Sequence, residues 1–192
     1  MKQAMSCRLS APGIICSLGT RRDEITRALQ SGERGLSVTE AFTPGRPLPL
    51  GQVTANLPAM TDWPDAHRSR NNQLIAAALD ALGDTLSATL TRFPSERIGV
   101  VMGTSTSGVL ETERAIARTG PGNDFDADYR YARQELGAPS QFIAERLGLN
   151  GPAWTLSTAC SSGARALAAA RRLLLSDPVS YTHLTLPTIY SV

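Results

Sequence analysis

The sequence predicts an α/β protein in which helices cover both faces of a β-sheet. Residues 97–102, Arg-Ile-Gly-Val-Val-Met, form a continuous apolar run that is typical of a buried parallel strand. Residues 153–156 form a second, shorter β-prone run. Each run leads through a turn of small and polar residues into a segment with helical character, so strands and helices alternate along the chain.

The N-terminal part is predicted to hold one helix and then a long surface segment. Thr20 is expected to cap the helix, and Ile25 and Leu29 belong to its apolar face. Residues 43–64 contain five prolines, which favours an excursion over the surface with at most a short strand at 52–55.

Three further helices are predicted from apolar periodicity. Ser69 is a suitable cap for a helix over residues 70–82 that continues in some form to residue 90. The second of these helices begins at Ser107 or Gly108 and runs to about residue 118, and the third covers residues 139–147. His67 titrates near neutral pH, but it stands in a polar segment beside arginine, so we expect a surface residue rather than a catalytic base.

Cys160 lies at the turn between the second strand and the helix that follows it. The unpaired backbone N–H groups and the positive end of the helix dipole at such a position favour an anion, for example a thiolate nucleophile. A cysteine that is only a small buried hydrophobe is the simpler alternative, and residue type alone favours it. The residues around Cys160 are small enough to let a substrate reach the sulfur: Ala159, Ser161, Ser162 and Gly163.

Two loops have a superficial likeness to ligand-binding motifs. Residues 103–108 have the glycine spacing of a phosphate-binding loop, but Val109 and Leu110 stand where such a loop needs lysine and a hydroxyl residue. The alternating aspartates of residues 124–128 lack the glycine that a calcium loop has at its sixth position. The sequence therefore predicts neither a nucleotide site nor a metal site, and no Cys/His spacing suits zinc.

The composition indicates one globular domain. A chain of 192 residues with 42% hydrophobic residues can bury one core. The net charge is only +2, and the basic residues form no block of five or more, which argues against nucleic-acid or membrane-surface binding. Three widely spaced cysteines suit a reducing compartment, and no apolar run is long enough to span a membrane, so we expect a cytoplasmic protein.

The sequence around Cys160 resembles the active-site signature of the β-ketoacyl-acyl carrier protein synthases, or ketosynthases, of the thiolase superfamily. This signature is Thr-Ala-Cys-Ser-Ser-Gly at 158–163, preceded by Gly-Pro and followed by an alanine-rich helix. Residues 13–19, the loop at 103–108 and Pro-Ser at 139–140 also stand in the order that the family shows. Residues 67–74 and the loop look most like the ketosynthases of aryl polyene clusters.

This resemblance implies that residues 1–177 form the N-terminal half of a thiolase-like fold, with a mixed sheet and helices on both faces. Residues 178–192 do not match the family, because they contain no charged residue, alanine or glycine. We interpret them as a foreign or frameshifted tail, with a natural, functional tail as the alternative, and His183 within them is not assigned a catalytic role.

The family implies a decarboxylative Claisen condensation. An acyl chain on the phosphopantetheine of an acyl carrier protein transfers to Cys160, whose backbone N–H supplies half of the oxyanion hole. A malonyl-carrier then loses CO₂ and attacks the acyl-enzyme, in fatty acid, polyketide or aryl polyene biosynthesis. No cofactor or metal is implied. The resemblance places Thr106 in the acyl pocket; the alternative is that Thr106 is a turn residue whose hydroxyl bonds its own backbone.

The second half of the family fold supplies two catalytic histidines, so this chain is not expected to condense on its own. The implied partners are the acyl carrier protein and, through the strand before Cys160, a second ketosynthase or a chain-length factor. Three alternatives stay open: a non-catalytic chain-length subunit, an α/β binding module in which Cys160 only packs, and a serine hydrolase, although no G-x-S-x-G motif occurs. Three arginines cluster around the helix after Cys160: Arg165, Arg171 and Arg172. They could contact an acidic partner such as the carrier protein, or they could form a solvated helix face.

Overall fold

The computed structural model describes residues 7–120 and 125–185. Helices and strands alternate along most of this chain, as the sequence predicts. The helices are α1 Arg22–Gln30, α2 Arg70–Asp80, α3 Asp84–Arg92, α4 Val109–Arg118, α5 Ala138–Leu147 and α6 Ser162–Leu175. The strands are β1 Ser37–Thr39, β2 Leu48–Leu50, β3 Ile98–Gly103, β4 Ala153–Leu156 and β5 Tyr181–Thr185.

The main sheet has three strands in the order β4-β3-β5. Both neighbours of β3 run parallel to it, with Val100 beside Ala153 on one side and beside His183 on the other. The expected mixed character of the sheet is therefore not found among the described strands of this sheet, which are all parallel. The short strands β1 and β2 form a separate antiparallel pair.

Helices cover both faces of the sheet, which confirms the predicted architecture. On one face, Val100 and Met102 of β3 pack in a core with Phe142 of α5 and residues of α2. On the opposite face, Val101 packs against the small side chains of α6. The alternation of apolar side chains along β3 therefore fills two cores at once, as expected for a strand buried on both faces.

The first helix is present, but two details of its prediction are wrong. The residue before the helix is Arg21 rather than Thr20, and the Arg21 side chain makes no capping hydrogen bond. Thr20 instead donates its backbone N–H to the Glu24 carboxylate at 3.4 Å. Ile25 is buried, whereas Leu29 is 63% exposed, so the apolar face is narrower than the pattern indicates.

The predicted cap at Ser69 is confirmed, because its hydroxyl accepts a hydrogen bond from the Asn72 backbone N–H at 3.2 Å. The helix does not continue to residue 90 in one piece. It ends at Asp80, and Gly83 adopts a positive φ of 49° before α3 begins. Within the described residues no single helix is long and apolar enough to cross a membrane; α2 and α3 reach that length and composition only together, with an 84° bend between them.

Two predictions about irregular segments are also corrected. The strand expected at 52–55 lies instead at Leu48–Leu50, where it pairs with β1. Residues 181–185, which we assigned to the unmatched tail, form β5 in the main sheet. The interpretation of residues 178–192 as foreign or frameshifted stays a prediction, although residues 181–185 add a strand to the main sheet.

Candidate active site

Cys160 lies where the sequence predicts, between β4 and α6. Residues Ala159–Ser161 form a single 3₁₀ turn, and α6 begins at Ser162. Ala159 has a φ of +50°, in the left-handed region that alanine rarely adopts. Cys160 is exposed in the described part of the chain, whereas the alternative predicts a buried cysteine.

The hydroxyl group of Ser162 holds this turn, and the Ser161 hydroxyl makes exposed contacts beside it. The Ser162 hydroxyl accepts from the Thr158 backbone N–H at 2.8 Å and donates to the Ala159 carbonyl at 2.7 Å. The Ser161 hydroxyl donates to the Thr158 carbonyl at 2.8 Å and lies 3.0 Å from the Thr158 hydroxyl. The backbone N–H of Cys160 has no acceptor among the residues that the structure describes, which leaves it free to bind an oxyanion.

The loop after β3 lies beside this turn. Thr104 donates its backbone N–H to the Leu156 carbonyl at 3.1 Å, so the loop begins next to the end of β4. A Cβ atom on Gly103 would lie 2.7 Å from the Ser162 carbonyl oxygen, which shows how closely β3 approaches α6. Residues far apart in sequence therefore meet at the carboxyl end of the sheet.

Thr106 belongs to this loop and is exposed. The loop is held by Thr104, whose hydroxyl donates to the Thr106 carbonyl at 2.6 Å and accepts from the Thr106 N–H at 3.2 Å. Thr104, rather than Thr106, is thus the residue whose side chain makes the turn. The alternative role that we considered for Thr106, a turn residue whose side chain bonds the backbone, therefore belongs to Thr104.

A large open cavity of about 1960 Å³ occupies one side of the molecule. Thr106 lines it, together with the N-terminal segment that contains Cys7 and Cys16 and with parts of α2 and α3. Cys160 does not line it. The volume exceeds that of typical small-molecule sites, so the cavity is a broad opening rather than a shaped pocket.

His67 was expected at the surface, and this prediction is wrong. The residue is 8% exposed, and its ring packs against the rings of Trp63 and Phe142, with centroid distances of 5.9 and 5.8 Å. Its Nε2 atom lies 2.8 Å from the Glu145 carboxylate, and Nδ1 is buried without a partner in the described part of the chain. None of these contacts reaches the Cys160 turn, so His67 is not placed to act as a base there.

His183 is also buried, in the middle of β5. Burial lowers its pKa to about 4, because the surrounding protein disfavours the charged imidazolium. It pairs in register with Val100, three residues before β3 reaches Gly103 beside the cysteine turn. This position gives it no part in the Cys160 site.

The sequence analysis missed a buried arginine that supports the loop after β3. Arg133 donates from its guanidinium to the Asp65 carbonyl at 2.8 Å and to the Asp128 carboxylate at 3.1 Å. The hydrogen bond from Arg133 lowers the pKa of Asp128. The Arg133 carbonyl in turn accepts from the Ser107 hydroxyl at 3.1 Å and the Gly108 N–H at 2.9 Å. No local sequence signal distinguishes this arginine from its neighbours.

The arginines of α6 that could contact an acidic partner are all exposed, which leaves both readings of them open: Arg165, Arg171 and Arg172. Across residues 7–120 and 125–185, no three His, Cys, Asp or Glu side chains are grouped closely enough to hold a metal ion.

Comparison with known proteins gives a family. The model of the β-ketoacyl synthase N-terminal domain matches residues 69–181. A chain of the solved ketosynthase ApeO in complex with its chain length factor ApeC, from Xenorhabdus doucetiae, is 41% identical, with a TM-score of 0.79 over 88% of this chain. A β-ketoacyl synthase from Burkholderia phymatum STM815 is 23% identical, with a TM-score of 0.69 over 86% of this chain, and shares the fold.

No curated protein matches. This chain covers 44% of the Xenorhabdus chain and 42% of the Burkholderia chain, so it spans less than half the length of both. The family match includes β3, β4, the Cys160 turn and α6, which are the elements that build the site. The chain belongs to the β-ketoacyl synthase family, and its residues 69–181 match the N-terminal domain of that family.

Proposed function

We propose that Cys160 is the nucleophile of a ketosynthase and accepts an acyl chain from the phosphopantetheine arm of an acyl carrier protein. The observation that carries this proposal is the placement of an exposed cysteine, whose backbone N–H has no described acceptor, just before α6 and within the family's Thr-Ala-Cys-Ser-Ser-Gly motif. A buried, packed cysteine would have neither feature.

Acyl transfer needs a thiolate and a donor for the oxyanion. The Cys160 sulfur attacks the thioester carbonyl carbon, and a new carbon–sulfur bond forms. The carbonyl oxygen gains negative charge, which the Cys160 N–H stabilises. The bond to the carrier sulfur then breaks, and the carrier thiolate takes the proton that Cys160 lost.

Condensation with malonyl-carrier needs further hydrogen-bond donors for the enolate that decarboxylation produces. The family supplies them as two histidines from its second half. Neither His67 nor His183 substitutes for them, because one is bound to Glu145 and the other is buried in β5. We therefore assign acylation, and not chain extension, to these 192 residues.

Thr106 is proposed to contact the acyl chain. Its exposure, on a loop joined to the cysteine turn through Gly103 and Thr104, supports this role. The aryl polyene class is the proposed product, on the likeness of residues 67–74 and of this loop to those ketosynthases.

The proposed partner is a second ketosynthase or a chain-length factor, bound along β4. This strand has a described neighbour only on its β3 side, so its other edge presents backbone groups that a second strand can pair with. The Xenorhabdus structure is itself a complex of a ketosynthase with a chain length factor. Sedimentation of a protein that contains this chain and a second half should give a dimer, and a monomer would contradict the proposal.

Because the similar structure also contains a chain length factor, the alternative is that this chain is a non-catalytic chain-length subunit. Such subunits typically replace the nucleophile, and Cys160 argues against that role. The acylation test described next separates a ketosynthase from a chain-length subunit, since a chain-length subunit would not be acylated at Cys160.

The test is peptide mapping after incubation with an octanoyl-loaded acyl carrier protein. We expect an adduct of one acyl group on Cys160, and none in the Cys160→Ala variant. Cys7→Ala and Cys16→Ala serve as controls and should acylate normally, because neither residue lies at a helix start. An adduct on Cys7 or Cys16 but not on Cys160 would overturn the proposal.

A further inference from the structure

We infer that Ser162 is a positioning residue, whose hydroxyl holds Cys160 in the geometry that acyl transfer requires. This inference rests on the proposed role of Cys160 as the nucleophile. Ser162 lies two residues after the cysteine, at the first position of α6, and is 4% exposed. Its hydroxyl therefore does not contact substrate and acts through the turn.

The two hydrogen bonds of the Ser162 hydroxyl join residues on either side of Cys160. Ser162 accepts from the Thr158 N–H and donates to the Ala159 carbonyl, at 2.8 and 2.7 Å, so both bonds reach back across Cys160. A serine hydroxyl has one donor hydrogen and can accept at its lone pairs, and this arrangement uses both capacities. The peptide groups that precede the cysteine are thus fixed from a buried point behind it.

The backbone conformation before Cys160 needs this support. Ala159 has a φ of +50°, which crowds its Cβ against its own backbone. A residue keeps such a conformation only when the surrounding structure imposes it. When the Ser162 bonds are lost, Ala159 is expected to relax toward a negative φ. The sulfur of Cys160 then no longer lies where it can attack the thioester carbonyl carbon while the Cys160 N–H binds the carbonyl oxygen.

Ser162 also connects the cysteine turn to the loop that carries Thr106. Its hydroxyl lies 3.3 Å from the Thr104 carbonyl, and its own carbonyl faces Gly103. Ser162 therefore lies between the cysteine turn and the loop that carries Thr106. A change at Ser162 affects the sulfur, its oxyanion donor and the loop together.

Ser161 provides a matched control. It is also a serine beside Cys160, and its hydroxyl donates to the Thr158 carbonyl at 2.8 Å, but this bond is exposed. Water can replace the exposed bond of Ser161, whereas the bonds of Ser162 are part-buried and come from a side chain that is itself buried. The two serines of the motif should therefore differ strongly in their effect on Cys160.

The test measures two rates on the 192-residue chain and its variants. One is acyl transfer to Cys160 from octanoyl-pantetheine, and the other is alkylation of Cys160 by iodoacetamide, which needs an accessible sulfur but no oxyanion donor. We expect Ser162→Ala to lower acyl transfer about 100-fold, as a small misplacement of a nucleophile can do, and to leave alkylation little changed. Ser161→Ala should leave both rates close to wild type.

A second variant tests the proposed route through Ala159. Glycine adopts a positive φ without strain, so Ala159→Gly combined with Ser162→Ala should recover about tenfold of the lost rate. This double variant also serves if Ser162→Ala alone fails to fold, and circular dichroism establishes folding in each case.

Equal acyl transfer in Ser162→Ala and wild type, parallel loss of both rates, or no recovery in the double variant would overturn the inference. A wild-type chain that takes no acyl group on Cys160 would instead defeat the proposed function. The two failures are therefore distinguishable.

Discussion

Replacing Gly103 by alanine is expected to separate β3 from the cysteine turn. The added Cβ would lie 2.7 Å from the Ser162 carbonyl oxygen, 2.9 Å from the Ser162 carbonyl carbon and 3.1 Å from Ala166 Cβ. The first two atoms belong to the backbone and cannot rotate away, so α6 must shift by several tenths of an ångström. Overpacking of this kind costs about 1–3 kcal/mol of unfolding free energy.

Thermal unfolding followed by circular dichroism measures this loss. For a chain of this length, 1 kcal/mol lowers Tm by about 2–4 °C, so Gly103→Ala should melt about 2–12 °C below wild type. The rate of acylation of Cys160 should fall as well, because the shift moves the turn. Gly137→Ala is the control, since its nearest neighbour is the Gln141 side chain at 3.9 Å. Equal Tm values and acylation rates for the two variants would refute the packing argument.

Two further predictions concern buried ionisable groups. Burial lowers the pKa of His183 to about 4, whereas an unfolded histidine titrates near 6.5, so the unfolded chain binds the proton first. Stability should be full above pH 6.5 and fall by on the order of 3 kcal/mol toward pH 4; urea unfolding measures this slope, which His183→Leu should abolish. Arg133→Met should lower stability by about 2 kcal/mol, because Asp65 and Asp128 lose a buried charged donor. Arg130→Met, at a side chain 41% exposed, should change stability by less than about 1 kcal/mol, and equal losses would contradict this reasoning.

The elements that the sequence predicts correctly are those with a strong local signal. β3 is a continuous apolar run, and its two neighbouring cores explain why it has no polar alternation. The Ser69 cap needs only a hydroxyl and an amide three residues later. The position of Cys160 follows from a β-prone run that meets an alanine-rich segment, because these propensities change within a few residues.

The features that the sequence does not predict depend on contacts between distant residues. His67 is buried because Glu145 and Phe142, more than seventy residues later, lie over it. Arg133 is buried because the chain near Asp65 accepts its hydrogen bonds. Residues 181–185 have the β-prone composition of a strand and pair with β3 as β5. We did not predict this strand because these residues do not match the family pattern.

The small residues around Cys160 have two explanations, and the structure separates them. From the sequence we explained them by access of a substrate to the sulfur, and the exposure of Ser161 agrees with that reason. Ser162 is small because its carbonyl faces Gly103, and it is a serine because its hydroxyl bonds the Thr158 and Ala159 peptides. Alanine at 162 would satisfy the size requirement and fail the bonding requirement. The identity of this residue is therefore determined by the backbone of the turn, whereas its neighbour is open to change.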